Sequence, residues 1–248
     1  RFPSHDELNR ISPRNEMPLE TWLRIVEEAK EMRVLIFNIE GANEPTVLPE
    51  LLFPVMEKVK ENGMYGILTT NGTLWDEEKA KLVVEIGWDR LHISIDSTRE
   101  RIHDTLRGMK GSWKKVIEMT KLVGKWKRKL HSDRPMLNLN ICINKLNFKE
   151  LPKMVELARK LEFNYIFTEP LMIFSEEGKK LKLNEKELKE LPKYVKKAKE
   201  LAERYGIDNN FATQDKNLEE EIVKKTGEMQ SILLGDVERF EEGTILSS

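Results

Sequence analysis

Three short stretches carry the residue types that could bind a polar ligand. Ile39-Glu40-Gly41-Ala42-Asn43-Glu44-Pro45 follows one apolar run, Thr69-Thr70-Asn71-Gly72-Thr73 follows a second, and Leu91-His92-Ile93-Ser94-Ile95-Asp96-Ser97 closes a third. Each apolar run ends in polar or glycine-rich residues that lead into an amphipathic helix. Three consecutive strands then present these residues at one edge, the C-terminal edge of a parallel sheet, which is where a ligand is expected.

The elements that must hold this edge follow from the hydrophobic pattern. Pro18 opens a helix with Leu19, Trp22, Leu23, Ile25, Val26 and Ala29 at helical spacing, and Val34 to Ile39 reads as a buried strand. The unit repeats: a helix from Pro49 through Val59 stops at Asn62-Gly63 before the strand Tyr65 to Leu68, and a helix capped by Asp76 ends at Ile86-Gly87 before the strand Arg90 to Ile95. A helix from about Ser112 to Lys129 precedes the strand Met136 to Asn144, in which Leu137, Leu139, Ile141 and Ile143 alternate with Asn138, Asn140, Cys142 and Asn144. One face of that strand is apolar and the other lines something polar, as inside a barrel. The helix Lys149 to Leu161 and the strand Asn164 to Phe167, running into Thr168-Glu169-Pro170, continue the alternation. The predicted class is α/β with a parallel sheet.

Beyond a soft boundary near Phe174 to Gly178 the chain changes character. A lysine-rich helix from Glu185 to Tyr205 ends at Gly206, a short strand is expected over Asp208 to Ala212, and a second charged helix over Leu218 to Leu233. Residues 1–174 are therefore read as a barrel core and 175–248 as a charged helical C-terminal extension.

Composition narrows the function classes. The 248 residues carry 42 Lys+Arg against 43 Asp+Glu, a formal net charge of -1, so no global field recruits nucleic acid or anionic lipid. The chain is 34% charged, with Lys and Glu interleaved on helix faces, a pattern of exposed ion-pair networks that points to a thermophilic source or to ordinary solvated helices. No apolar run is long enough for a membrane span and no signal-peptide core is visible, so a cytoplasmic location is expected. A single cysteine, Cys142, excludes a disulfide framework and a cysteine-bound zinc or iron–sulfur site within these residues.

The stretch Glu40-Gly41-Ala42-Asn43-Glu44-Pro45 resembles the Gly-Gly-Glu-Pro segment of radical S-adenosylmethionine (SAM) enzymes, and Thr69 to Thr73 resembles their Thr-Asn-Gly-Thr turn. Ser94-Ile95-Asp96-Ser97, followed by His103-Asp104-Thr105-Leu106-Arg107-Gly108, is similar to their Ser-hydrophobic-Asp and His-Asp-x-x-Arg-Gly stretch, and Asn147 sits where many of them place an Asn after strand five. The order and spacing of these pieces carry the resemblance, which runs from about residue 17 to 170.

The resemblance implies a partial (β/α)6 barrel that holds SAM and a 4Fe–4S cluster. Three cysteines in a Cys-x3-Cys-x2-Cys loop bind the cluster, one-electron cleavage of SAM gives a 5′-deoxyadenosyl radical, and the radical abstracts hydrogen from substrate. Those cysteines are absent here. The first strand and the cluster ligands are expected upstream of Arg1, leaving the chain inactive as it stands; a truncated chain, a disordered N-terminus or a cluster-free relative would each give such a sequence. Ala42 and Asn43 in place of glycines are expected to narrow the approach of SAM.

Carried over residue by residue, Ala42, Asn43 and Glu44 lie beside the SAM amino end, Thr70 and Asn71 at the edge of the next strand, and Ser94 and Asp96 near the ribose or methionine portion. Arg107 offers a fork to the SAM carboxylate, while Asn140, Asn144 and Glu169 face ribose, adenine or substrate. Plainer readings stand beside these. Glu44 could cap a helix, Asn71-Gly72 could be a turn, Asp96-Ser97 a helix start and Arg107 a surface ion pair. His92 and His103 lack metal-ligand spacing and read as structural, the tryptophans read as packing, and Cys142 as a small strand residue.

The expected function is that of a radical SAM enzyme acting on a peptide or protein, of the branch with a C-terminal SPASM/twitch-type iron–sulfur extension. Its expected partners are SAM, a peptide or protein substrate, and an electron donor such as ferredoxin or flavodoxin, with no membrane or nucleic acid. A molybdopterin-type cofactor-biosynthesis enzyme and a cluster-free binding or scaffold barrel are the alternatives.

Overall fold

The structure is a computed structural model that describes residues 16–41, 43–173 and 175–211. The expected helix at 218–233, the end of the strand at 208–212, and Ala42 lie outside the described residues.

The order of elements is α1 (Leu19–Glu31), β1 (Ile36–Ile39), α2 (Pro49–Glu61), β2 (Tyr65–Thr70), α3 (Glu77–Glu85), β3 (Arg90–Ser94), α4 (Glu100–Arg107), α5 (Ser112–Lys129), β4 (Met136–Ile143), α6 (Leu151–Lys160), β5 (Tyr165–Pro170), α7 (Glu176–Lys179), α8 (Glu185–Tyr205) and β6 (Asp208–Asn209). The six strands form one parallel sheet in the order β1-β2-β3-β4-β5-β6. Parallel neighbours joined by right-handed crossovers place every connecting helix on the same side, so one face of the sheet is packed and the other stays open. Among the described residues β1 pairs only with β2 and β6 only with β5, which leaves the barrel unclosed.

Burial alternates accordingly. Gly66, Leu68 and Thr70 of β2 and Leu91 and Ile93 of β3 are buried under the helices, whereas Tyr65, Ile67, Thr69, Arg90, His92 and Ser94 on the other face are half-buried. The apolar set expected on β4 (Leu137, Leu139, Ile141 and Ile143) is the buried, helix-side set. Gly66 is required by packing: a Cβ there would lie 2.4 Å from the ring of the fully buried Trp88. At the N-terminal edge the buried Asp89 accepts the Gly66 N–H at 2.7 Å and pairs with Lys60 and Arg134, fixing β2 against β3.

The structure refines several expected boundaries. The first strand starts at Ile36 instead of Val34, with Leu35 left exposed. The expected helix from Lys149 divides into a 3-10 turn at Phe148–Glu150 and α6, because Pro152 lacks an N–H and sits in the first turn. Helix α4, unassigned from the sequence, is short, polar and closed by Gly108 at φ +66°. Helix α8 buries Leu191, Val195, Ala198 and Ala202 along one stripe in the common core, and β6 pairs with β5, so residues 185–209 share the helix layer and sheet of the preceding units.

Candidate functional site

The first two sequence stretches meet at Glu44. Its Oε1 accepts from the Thr46 N–H at 3.3 Å, the Thr46 hydroxyl at 2.6 Å and the Thr70 hydroxyl at 2.6 Å, and its Oε2 accepts from the Asn71 N–H at 2.7 Å. Thr70 Oγ1 in turn accepts from the Gly72 N–H and from Trp75 Nε1, both at 3.0 Å, while Asn71 Oδ1 accepts from Thr73 N–H and hydroxyl. These bonds consume the polar capacity of Thr70 and hold the loop after β1 against the end of β2.

A second knot joins β3 to β4. Asp96 Oδ1 accepts the Cys142 N–H at 3.1 Å and Oδ2 pairs with Arg107 Nε at 2.7 Å. Asn147 Nδ2 donates to the Asp96 carbonyl at 2.7 Å and to the Cys142 carbonyl at 2.9 Å, and its Oδ1 accepts the Asn144 N–H at 2.8 Å. Both ends of the Asn144 side chain are engaged, with the Cys142 carbonyl and the Leu146 N–H.

The His-Asp-x-x-Arg-Gly stretch is divided among four local tasks. The buried His103 accepts the Asp96 N–H at Nδ1, 3.2 Å away, and burial, with help from Arg107, lowers its pKa to about 4. Asp104 accepts from Gly111 N–H, Ser112 hydroxyl and Trp113 N–H, bonds to the start of α5 that hold its carboxyl below the usual range despite an opposing effect of desolvation. Arg107 supplies the ion pair to Asp96, and Gly108 ends the helix. Ser97 and Thr98 are tied to the buried Glu150, which also pairs with Arg99.

The open face holds what these knots leave unspent. Thr69 lies opposite His92, His92 opposite Asn138, and Ser94 opposite Asn140 in strand register. Thr69 Oγ1, His92 Nε2, Asn138 Oδ1 and Asn140 Oδ1 are buried without a hydrogen-bond partner among the described residues. Of this row the sequence singles out only Asn140 as a ligand contact. Asn138, on the same period-2 face, was the signal available for extending it, whereas Thr69 and His92 join only once the register is known. Burial and then Arg90 lower the His92 pKa, so its imidazole is neutral at pH 7.

Toward the C-terminal edge the face turns acidic. Glu169 lies opposite Cys142 and makes no ion pair among the described residues. Its side chain is exposed, yet partial desolvation, followed by repulsion from Asp96, raises its carboxyl pKa against the opposing effect of Arg107. The same surroundings push the Cys142 thiol up to about 12, burial first and then Asp96 and Glu169, so the sulfur stays protonated. No cluster of three or more His, Cys, Asp or Glu side chains among the described residues is arranged to hold a metal ion.

The sequence-predicted residues thus gather at one edge in two sets. Glu44, Thr70, Asn71, Asp96, Arg107 and Asn144 are bonded into the loops, while Ser94, Asn140 and Glu169 occupy the open face. Asn43 lies exposed in the loop after β1. A separate cavity of about 340 Å³ opens between Met136, Arg159, Asn164, Tyr205 and Asp208, at the opposite end of the strands from these loops.

An open parallel α/β sheet with its polar loops gathered at one edge defines a partial-barrel fold, and comparison with known proteins gives the family. The model of the radical SAM superfamily matches residues 2–158, well over half of the chain, which belongs to that superfamily. The PqqA peptide cyclase of Granulibacter bethesdensis is 30% identical over 149 residues, 59% of this chain and 37% of that protein. The tungsten-containing aldehyde ferredoxin oxidoreductase cofactor-modifying protein of Pyrococcus furiosus is 30% identical over 151 residues, 59% of this chain and 40% of that protein. Among solved structures, Streptococcus suis SuiB bound to S-adenosylmethionine superposes with a TM-score of 0.66 at 16% identity, over 83% of this chain and 47% of that one. anSMEcpe with bound AdoMet superposes with a TM-score of 0.60 at 18% identity, over 79% of this chain and 55% of that one. The solved structures establish the shared fold. The chain spans about two fifths of the length of the two curated relatives.

No helix among the described residues is long and apolar enough to cross a membrane.

Proposed function

We propose that this chain is the SAM- and substrate-binding part of a radical SAM enzyme that modifies a peptide or protein. The observation that carries the reading is the unpaired, acid-leaning edge at Glu169, whose carboxyl is pushed up by desolvation and by Asp96. SAM carries a sulfonium and an ammonium, and a cation placed there relieves the repulsion between Glu169 and Asp96. On this reading Ser94, Glu169 and the backbone near Asn43 face SAM. Glu44, Thr70, Asn71, Asn144 and the Asp96–Arg107 pair shape the edge, since their polar atoms are committed to the loops.

The cluster is a different matter. A single cysteine cannot supply the three thiolates of a 4Fe–4S cluster, so the cluster does not fit the residues of this chain, and its ligands would have to come from outside them. The residues of this chain bind and orient; the radical chemistry of the superfamily and the reductant, a ferredoxin or flavodoxin, belong to the assembled enzyme. The peptide reading draws on PqqA peptide cyclase and on the uncharged row Thr69, His92 and Asn138, while the Pyrococcus relative keeps cofactor modification as the second reading.

The test uses the full-length gene product purified anaerobically, with iron and sulfide quantified and EPR spectra recorded after reduction with and without SAM. A 4Fe–4S signal perturbed by SAM is expected. Absence of iron after reconstitution, with no SAM binding in a calorimetric titration, would leave a cluster-free binding barrel in its place.

A further inference from the structure

Five side-chain atoms on the open face are buried without a partner among the described residues; the four uncharged ones define a single patch, and the fifth, Arg90 Nε, borders it. Thr69, His92 and Asn138 are direct neighbours across β2, β3 and β4, and Asn140 lies two residues further along β4 on the same face. Strand spacing and rise make this a surface of about 10 Å by 7 Å, the size of one or two peptide units. Asn138 is only 3% exposed, yet its Oδ1 has no partner among the described residues, as is the case for Thr69 Oγ1, His92 Nε2 and Asn140 Oδ1. Buried polar atoms are nearly always bonded, so four on one open face of the sheet point to a partner that binds there.

The chemistry of that partner follows from the side chains. Two primary amides, a hydroxyl and an imidazole each offer a donor and an acceptor, and none carries a charge at pH 7. Charged groups flank the row: Arg90 lies two residues toward the N-terminal edge, with its Nε buried and unpartnered and its guanidinium 5.9 Å from the Tyr65 ring, the Glu40 charge acts on His92, and Glu169 lies toward the C-terminal edge. A secondary amide, with one N–H and one C=O, satisfies a carboxamide on both its ends.

We propose that Thr69, His92, Asn138 and Asn140 bind an uncharged peptide group of the substrate, holding its backbone in the barrel beneath the SAM edge. The inference rests on the proposed peptide substrate and names the part of it that this face recognises.

The test is an NMR titration of the chain with N-acetylglycine N-methylamide, which carries two uncharged peptide groups, against acetate and inorganic phosphate as anionic competitors. The side-chain amide resonances of Asn138 and Asn140 and the His92 imidazole should move with the diamide and stay still with either anion. Asn138→Leu and the near-isosteric Thr69→Val should each weaken the diamide by about tenfold, the loss of one hydrogen bond. Movement with acetate or phosphate instead would assign the face to an anion reaching Arg90, and no movement with any probe would leave water as the partner; either result overturns the proposal. SAM is titrated in parallel: diamide failure with SAM binding intact rejects this inference alone, whereas SAM failure rejects the proposed function.

Discussion

Arg107 Nε lies 2.7 Å from Asp96 Oδ2, so the last turn of α4 reaches back to the loop that leaves β3. The pair is well protected from solvent on the carboxylate side, since Asp96 is buried and also accepts a backbone N–H from β4. Removing the guanidinium by Arg107→Ala strands a buried carboxylate, and the expected loss is about 2–3 kcal/mol, below the full cost of a broken buried pair because Arg107 is partly exposed. Urea unfolding should show a lower midpoint with an unchanged slope. A loss under about 0.5 kcal/mol would mean that Asp96 is solvated in the native state.

His103 makes stability depend on pH in a defined window. Its folded pKa is about 4 against 6.5 for the free side chain, so the unfolded chain takes up the proton first as pH falls. The stabilising contribution is therefore complete above pH 6.5 and drains away between 6.5 and 4, by up to about 3 kcal/mol. Unfolding midpoints measured across that range should fall for the native sequence and fall less steeply for His103→Gln.

Glu44 and Thr70 should behave as a unit. Glu44→Ala and Thr70→Val each remove the 2.6 Å bond between them, and a double-mutant cycle on unfolding free energies should give a coupling of about 1–2 kcal/mol. Additive losses would mean that the two residues act through separate contacts.

Cys142 should resist alkylation while the chain is folded. Its thiol is raised to about 12, so iodoacetamide at pH 8 should label it far more slowly than the same residue in urea, and mass spectrometry reads the difference directly because the chain holds only one cysteine.

Gly66→Ala tests the sheet core. The added Cβ would meet the Trp88 ring at 2.4 Å, and an interior that cannot yield loses about 1–3 kcal/mol or more to overpacking. Thermal unfolding followed by Trp fluorescence reports both the loss and any displacement of Trp88.

Much of this architecture is written in the sequence at short range. The alternation over β4 and the polar ends of the runs at Glu40, Thr70 and Asp96 give the parallel sheet and its chemical edge, because both depend on residues a few positions apart. The division of labour within that edge depends on long-range contacts. Nothing near Arg107 in the chain reveals that Asp96 claims it, and nothing near Thr70 reveals that Glu44 does. His92 and Thr69 look like isolated polar residues in two strands until register sets them side by side with Asn138. The short strand expected from Asp208 is found as the two-residue β6, whose described extent is set by its pairing with Tyr165 and Ile166.

The strand order has a consequence for how the molecule is made. Because β1 to β6 are paired in the order in which they occur in the chain, each ladder closes across one crossover connection, and no strand must wait for a distant segment to be inserted beside it. Synthesis from the N-terminus can therefore add one strand and its crossover at a time to a growing edge. Such assembly keeps contact order low for a parallel sheet and shortens the time that apolar strand faces spend unpaired.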